Sequence, residues 1–197
     1  MDLRSDIQST LSRFEHRDPV QVQRAQEYRE FVDAHDDCMW RTNAVGHITA
    51  SALVIDARSE SVLLTLHPKV GRWLQLGGHL EFEDPSLREG AVREVVEECG
   101  VGRAAVSALP VRLDRHPVPC GRASDGSPVV SVHWDVQYVV RVEGTFPFRM
   151  SSESDDLRWI SVDDLVELSP ALDASVTALI DDARRALTEP TTWVTIG

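Results

Sequence analysis

No uninterrupted apolar run in the chain approaches the roughly 20 residues that cross a bilayer, so a membrane span is not expected. The N-terminal stretch MDLRSDIQST also lacks the apolar core of a secretory signal, and a cytoplasmic location is the expectation. Basic residues are in deficit: 20 Lys and Arg stand against 32 Asp and Glu, a net charge of −12. With no basic stripe to displace phosphate counterions, a nucleic-acid partner is not expected, whereas a small phosphorylated ligand bridged by a cation is compatible. The three cysteines, Cys38, Cys99 and Cys120, are odd in number and lack close metal-type spacing. That argues against a disulfide framework or a zinc site and leaves three reduced thiols. Internal repeats and long low-complexity tracts are missing too, so no second domain is marked.

What is present suits one well-buried domain with a terminal extension: 197 residues, 42% hydrophobic and 26% charged. Leu3, Ile7, Leu11 and Phe14 recur at helical spacing, and Ala25, Tyr28, Phe31 and Val32 do so within 19–35. These two helices define an N-terminal extension over 1–45, with three possible uses: covering the core, capping a substrate, or forming a homodimer. His16 and His35 read as surface groups within it. ITASALVID (48–56) and SVLLTLH (61–67) read as paired strands around a turn, and 72–76 as a third strand. Residues 104–117 read as another, followed by a breaker-rich loop at 118–128. In 130–142, Val132, Trp134, Val136, Tyr138 and Val140 share one face, leaving His133, Asp135 and Gln137 on the other. An acidic loop, a short strand at 157–161 and an amphipathic helix spanning Leu172 to Leu187 complete a domain over 46–190. The last residues, 191–197, read as a loosely held tail.

The stretch with most chemistry is GGHLEFEDPSLREGAVREVVEECGV, 77–101. Two glycines allow a sharp turn before an acid-rich helix of about 15 residues. Asp84 is placed to cap it, Pro85 suits its first position and Gly100 its end. At about 100° per residue, Val92, Val95, Val96 and Cys99 gather on one side, with Glu94, Glu97 and Glu98 opposite. Acidic helices usually present such carboxylates to solvent. Here the glycine turn brings a backbone carbonyl, that of Gly78, within reach of them, and together they suit a hard divalent cation, Mg²⁺ before others.

This run resembles the Nudix box, whose usual form is Gly, five residues, Glu, seven residues, then Arg-Glu-hydrophobic-x-Glu-Glu-x-Gly-hydrophobic. Arg93 to Val101 matches the second half throughout, and Gly78 matches the first glycine. Asp84 stands where Glu is usual, and eight residues separate it from Arg93. The resemblance implies a Nudix-type α/β/α sandwich with a mixed sheet. It further implies Mg²⁺-dependent hydrolysis, Mn²⁺ being an alternative cofactor, of a diphosphate bond in a nucleoside diphosphate linked to another moiety. Glu97 and Glu98 would be the principal metal ligands, Glu94 a further ligand or the base, and Arg93 the residue that orients a glutamate; Gly78 would contribute its carbonyl. Arg72, His79, His133, Asp135 and Glu153 are candidates to meet substrate. ADP-ribose, nucleotide sugars, dinucleoside polyphosphates and nucleoside triphosphates all satisfy this reading. The alternatives are a Nudix-fold binding or regulatory module without useful turnover, and an acidic interaction protein that binds no metal.

Overall fold

The computed structural model describes residues 2–43, 45–68, 70–122, 128–151 and 154–197, with the backbone alone described at 119–122 and 128–129. Its centre is strand β1 (His47–Asp56), in which all ten residues are buried. A strand covered on both faces needs apolar residues on both, and β1 supplies Ile48, Ala50, Ala52 and Val54 to one core and Leu53 and Ile55 to another.

β1 pairs parallel with β7 (Pro128–Val142), from His47 opposite His133 to Asp56 opposite Val142. Its other neighbours are antiparallel: β2 (Ser61–His67) and, after the short strand β3 (Arg72–Leu74), β4 (Leu76–His79). Following helix α3 (Leu87–Cys99) come β5 (Ala104–Ser107), β6 (Arg112–Arg122), β7, β8 (Asp156–Ser161) and, after a further helix, β9 (Trp193–Ile196). The nine strands form one mixed sheet ordered β3-β2-β1-β7-β5-β9, with β4 on β1, β6 on β7 and β8 on β2.

Helices lie on both faces. α1 (Leu3–Arg13), α2 (Pro19–Ala34) and α3 share one core with the sheet, where Ile7, Leu11, Tyr28, Leu87 and Val95 are fully buried. Each such side chain contributes about 1.5–3 kcal/mol of burial free energy. The opposite face is covered by α4 (Ala174–Thr188) through Val176, Leu179, Ile180 and Ala183. No helix among the described residues is long and apolar enough to cross a membrane.

Several local expectations change. The strand expected over 72–76 is divided, Gln75 lying between β3 and β4, and that over 104–117 is broken between Ser107 and Arg112, a stretch that includes Pro110. β6 continues to Arg122 through residues expected to be loop. The stretch after Pro190 is no loose tail: Trp193 to Ile196 pair antiparallel with β5, covering an edge that would otherwise expose its backbone. His16 is largely buried and its Nε2 lies 3.1 Å from Asp182, tying the N-terminal extension to α4. Cys38 and Cys99 are free and buried, and burial pushes both thiols up to about 11.

Candidate functional site

The box helix starts later than its sequence suggests. Ser86 is the N-cap of α3, accepting from Glu89 N, and Asp6 of α1 accepts from Leu87 N at 2.9 Å. The N-terminal extension thus helps cap the box helix. At the other end Gly100 (φ +70°) closes the helix in the left-handed conformation that glycine permits. The inward stripe is Leu87, Ala91, Val92, Val95, Glu98 and Cys99, whereas Val96 is exposed. Leu87 and Ala91 set this face, and they rotate Glu98 into the protein rather than onto an acidic outer side.

Asp84, freed from capping, organises the turn before the helix. Its Oδ2 accepts from Glu81 N at 2.8 Å, and both its oxygens take the Arg93 guanidinium at 3.0 Å. Arg93 also reaches Glu94 Oε1 at 3.1 Å, Glu97 Oε2 at 3.3 Å and the carbonyl of His79 at 2.9 Å. Its pKa is raised, first by the Asp84 hydrogen bonds and then by the charge of Glu94 against a burial cost. The fork geometry of arginine fits this many-sided role.

The glycine strand packs directly on these acids. A Cβ on Gly78 would lie 2.9 Å from Glu94 Oε1, so a side chain there would push that carboxylate away from the backbone. Gly77 N donates to Glu98 Oε1 at 2.7 Å. Gly77 has φ +147°, and a Cβ there would come within 2.4 Å of the Ser51 Cα. Glu98 is therefore buried and anchored, Glu94 nearly buried, and Glu97 largely exposed. A set of carboxylate oxygens beside a side-chain-free backbone fits a hard, oxygen-seeking cation.

Behind β4 the sheet has a second polar region. Along one face β1 runs His47, Thr49, Ser51 and then Leu53, Ile55, while its partner β7 runs His133, Asp135, Gln137 and then Val139. Both strands change from polar to apolar at the same register, and α4 covers the apolar half. Asp135 is buried in the polar half, accepting from Thr49 Oγ1 at 3.0 Å, Ser51 Oγ at 2.6 Å, Gln75 Nε2 at 3.2 Å and Gln137 Nε2 at 3.0 Å. Burial raises its pKa, and the Ser51 hydrogen bond opposes that rise.

Four histidines adjoin it. The rings of His47, His79 and His133 stand 4.8 to 5.1 Å apart, centroid to centroid, and His116 lies 5.7 Å from His133. Burial holds His47 down to about 4 and His133 to about 3, with neighbouring histidines adding to the effect. His116 differs: its Nδ1 is 2.8 Å from Asp114, and that hydrogen bond raises its pKa.

Of the proposed substrate contacts, His79, His133 and Asp135 share this region. Arg72 does not join them; it sits exposed on β3, 3.6 Å from Asp173. Glu153 lies outside the described residues. Trp73, Trp134 and Tyr138 are core. The sequence reading missed His47, Thr49, Ser51, Gln75 and His116. The signal was the polar half of β1, invisible as a site until its parallel register with β7 is known.

The comparisons with known proteins agree with this architecture. The family model described as the NUDIX domain matches residues 46–180. Among solved structures, a hydrolase of the NUDIX family from Clostridium perfringens is 23% identical, with 72% of this chain and 96% of that one covered at a TM-score of 0.51. The NUDIX domain of Shewanella oneidensis NrtR, complexed with ADP-ribose, is 20% identical over 80% and 97% of the two chains, TM-score 0.50. The dihydroneopterin triphosphate pyrophosphohydrolase of E. coli is 14% identical over 68% and 92%, TM-score 0.53. No protein of curated function matches the sequence. With the family match spanning most of the chain, and the box glutamates set against their glycine strand, this protein belongs to the Nudix family of hydrolases.

Proposed function

We propose that this Nudix hydrolase cleaves a diphosphate bond in a nucleoside diphosphate linked to another moiety, with Mg²⁺ as cofactor and Mn²⁺ as a substitute. The observation that carries the reading is the contact between the glycine strand and the box: Gly78 admits the Glu94 carboxylate against its Cα, and Gly77 N holds Glu98. Glu97, Glu98 and the Gly78 carbonyl would hold the cation, with Glu94 as a further ligand or as base. When bound, such an ion supplies positive charge to the phosphate oxygens and acidifies the attacking water.

In this reading Glu94 takes the proton of the water at its carboxylate while the new P–O bond forms and the anhydride P–O bond breaks. The leaving phosphate departs with the electron pair. A carboxylate of ordinary basicity suffices for that step. Arg93 is a positioning residue: held by Asp84, it fixes Glu94 and the His79 carbonyl in one arrangement. The buried polar group around Asp135, with His79 and His133, provides candidate contacts for the non-reacting part of the substrate.

The test is product release from a panel containing ADP-ribose, a nucleotide sugar, a dinucleoside polyphosphate, a nucleoside triphosphate and dihydroneopterin triphosphate, with and without Mg²⁺. ADP-ribose is included because the NrtR domain binds it, and the pterin because the E. coli enzyme is named for it. Cleavage that requires both the metal and Glu98, judged with Glu98→Gln, supports the proposal. Binding without turnover across the panel would favour a regulatory module.

A further inference from the structure

We infer that His47, His79 and His133 form a second cation site, for a borderline transition ion of the Zn²⁺ class, distinct in ligand chemistry from the oxygen-donor box. One ring nitrogen from each residue lies within 4.8 Å of the other two. The three come from the adjacent strands β4, β1 and β7: His47 is the cross-strand partner of His133, and His79 pairs with Thr49, two residues along. A regular sheet therefore holds them.

The second observation is the state of His47. It is fully buried, yet neither of its ring nitrogens has a hydrogen-bond partner. An unsatisfied buried polar group costs about 1–3 kcal/mol, so a partner is required at that point of the fold. Its ring neighbours there are two more imidazoles, with the charge of Arg41 also acting on it, and the imidazoles select the kind of partner. Imidazole suits Zn²⁺, Fe²⁺, Ni²⁺ or Cu²⁺, whereas Mg²⁺ seeks oxygen.

Tetrahedral coordination at the usual Zn–N distance of about 2.0–2.1 Å needs nitrogens about 3.4 Å apart, so the three, now within 4.8 Å of one another, would have to close. Three protein ligands leave a fourth position for water or a substrate oxygen. His116, fixed through Nδ1 by Asp114, borders the cluster without belonging to it. The ion would pin β4 to β1 and β7, holding from behind the strand whose glycines receive Glu94 and Glu98. The inference is independent of which substrate the box cleaves.

The probe is Co²⁺ added to the full chain after chelation and removal of the chelator, followed by visible absorption, with Zn²⁺ affinity from calorimetry. Wild type is expected to bind about one equivalent and develop the intense bands of four-coordinate Co²⁺ with nitrogen ligands. His79→Gln and His133→Gln, both at half-buried positions and checked for fold by circular dichroism, should lose the bands and weaken Zn²⁺ by more than about 100-fold, beyond the effect of losing an outer partner. Glu98→Gln should keep both. Folded wild type that shows neither bands nor Zn²⁺ heat overturns the inference, as do bands that survive both histidine changes or disappear with Glu98.

Discussion

The two ends of β4 solve one problem in opposite ways. At Gly77 and Gly78 the neighbouring donors are carboxylates, and the chain supplies its own counter-charge: Arg93, bound to Asp84, Glu94 and Glu97. One residue on, at His79, the neighbours are imidazoles kept neutral by burial, with His47 and His133 held at about 4 and 3. In the first group an arginine is paired among the acids near solvent. In the second, burial, and after it the neighbouring histidines and Arg41, disfavour a proton on His47 and His133. Donor atoms can thus be stored in a folded protein by pairing or by neutralisation, and β4 has one of each.

The largest break in this comparison is expected from Glu98→Gln. Gln retains an oxygen for Gly77 N but loses the charge, and the metal-dependent rate should fall roughly 100- to 1,000-fold with the fold intact, measured by product release and circular dichroism. Gly77→Ala attacks the strand itself. Its Cβ would collide with Ser51, so stability in denaturant should drop by about 3 kcal/mol or more, a loss that unchanged midpoints would contradict. Asp84→Asn is milder: an unanchored Arg93 competes for Glu94 and Glu97, and the Mg²⁺ needed for half-maximal rate should rise about 10-fold.

The smallest effect is on the histidine side. His47 and His133 have folded pKa values below the unfolded value of 6.5, so the unfolded chain binds protons first. Their contribution is fully present above pH 6.5 and is lost as pH falls towards 4 and 3. In chelator-treated protein, the stability difference between wild type and His133→Gln should shift in that window, read from denaturant midpoints at a series of pH values. A difference independent of pH would show that these rings are not neutral by burial.

Much of the box was legible because its signals are local: Gly77 and Gly78, the Arg93–Val101 run and the Gly100 stop are contiguous in the chain. The helix face was read correctly at Val92, Val95 and Cys99 but not at Val96, which is exposed, or at Glu98, which is buried, because Leu87 and Ala91, nearer the true start, also set the packing. Asp84 looked like a cap because capping is the commonest use of an aspartate before a helix; Ser86 was two residues away and took the role. The polar half of the sheet was legible only on β7, where alternation sets His133, Asp135 and Gln137 on one face; its β1 side, His47, Thr49 and Ser51, was not. His47, His79 and His133 lie far apart in sequence, and they are joined by the parallel register of β1 with β7 and the antiparallel register of β1 with β4.

That register also sets an order of events. On a growing chain, His47, the glycine strand and the box helix all emerge before β7 does, so β1 must wait for this parallel partner, from His47 to His133, until much of the chain has been made. Local helices can form early, but the ladder that seats Asp135 and His133 closes a long loop first. The polar half of the sheet is therefore expected to assemble late, after the chain has passed Val142. A nascent chain halted before that point would display an intact motif with no pocket around it.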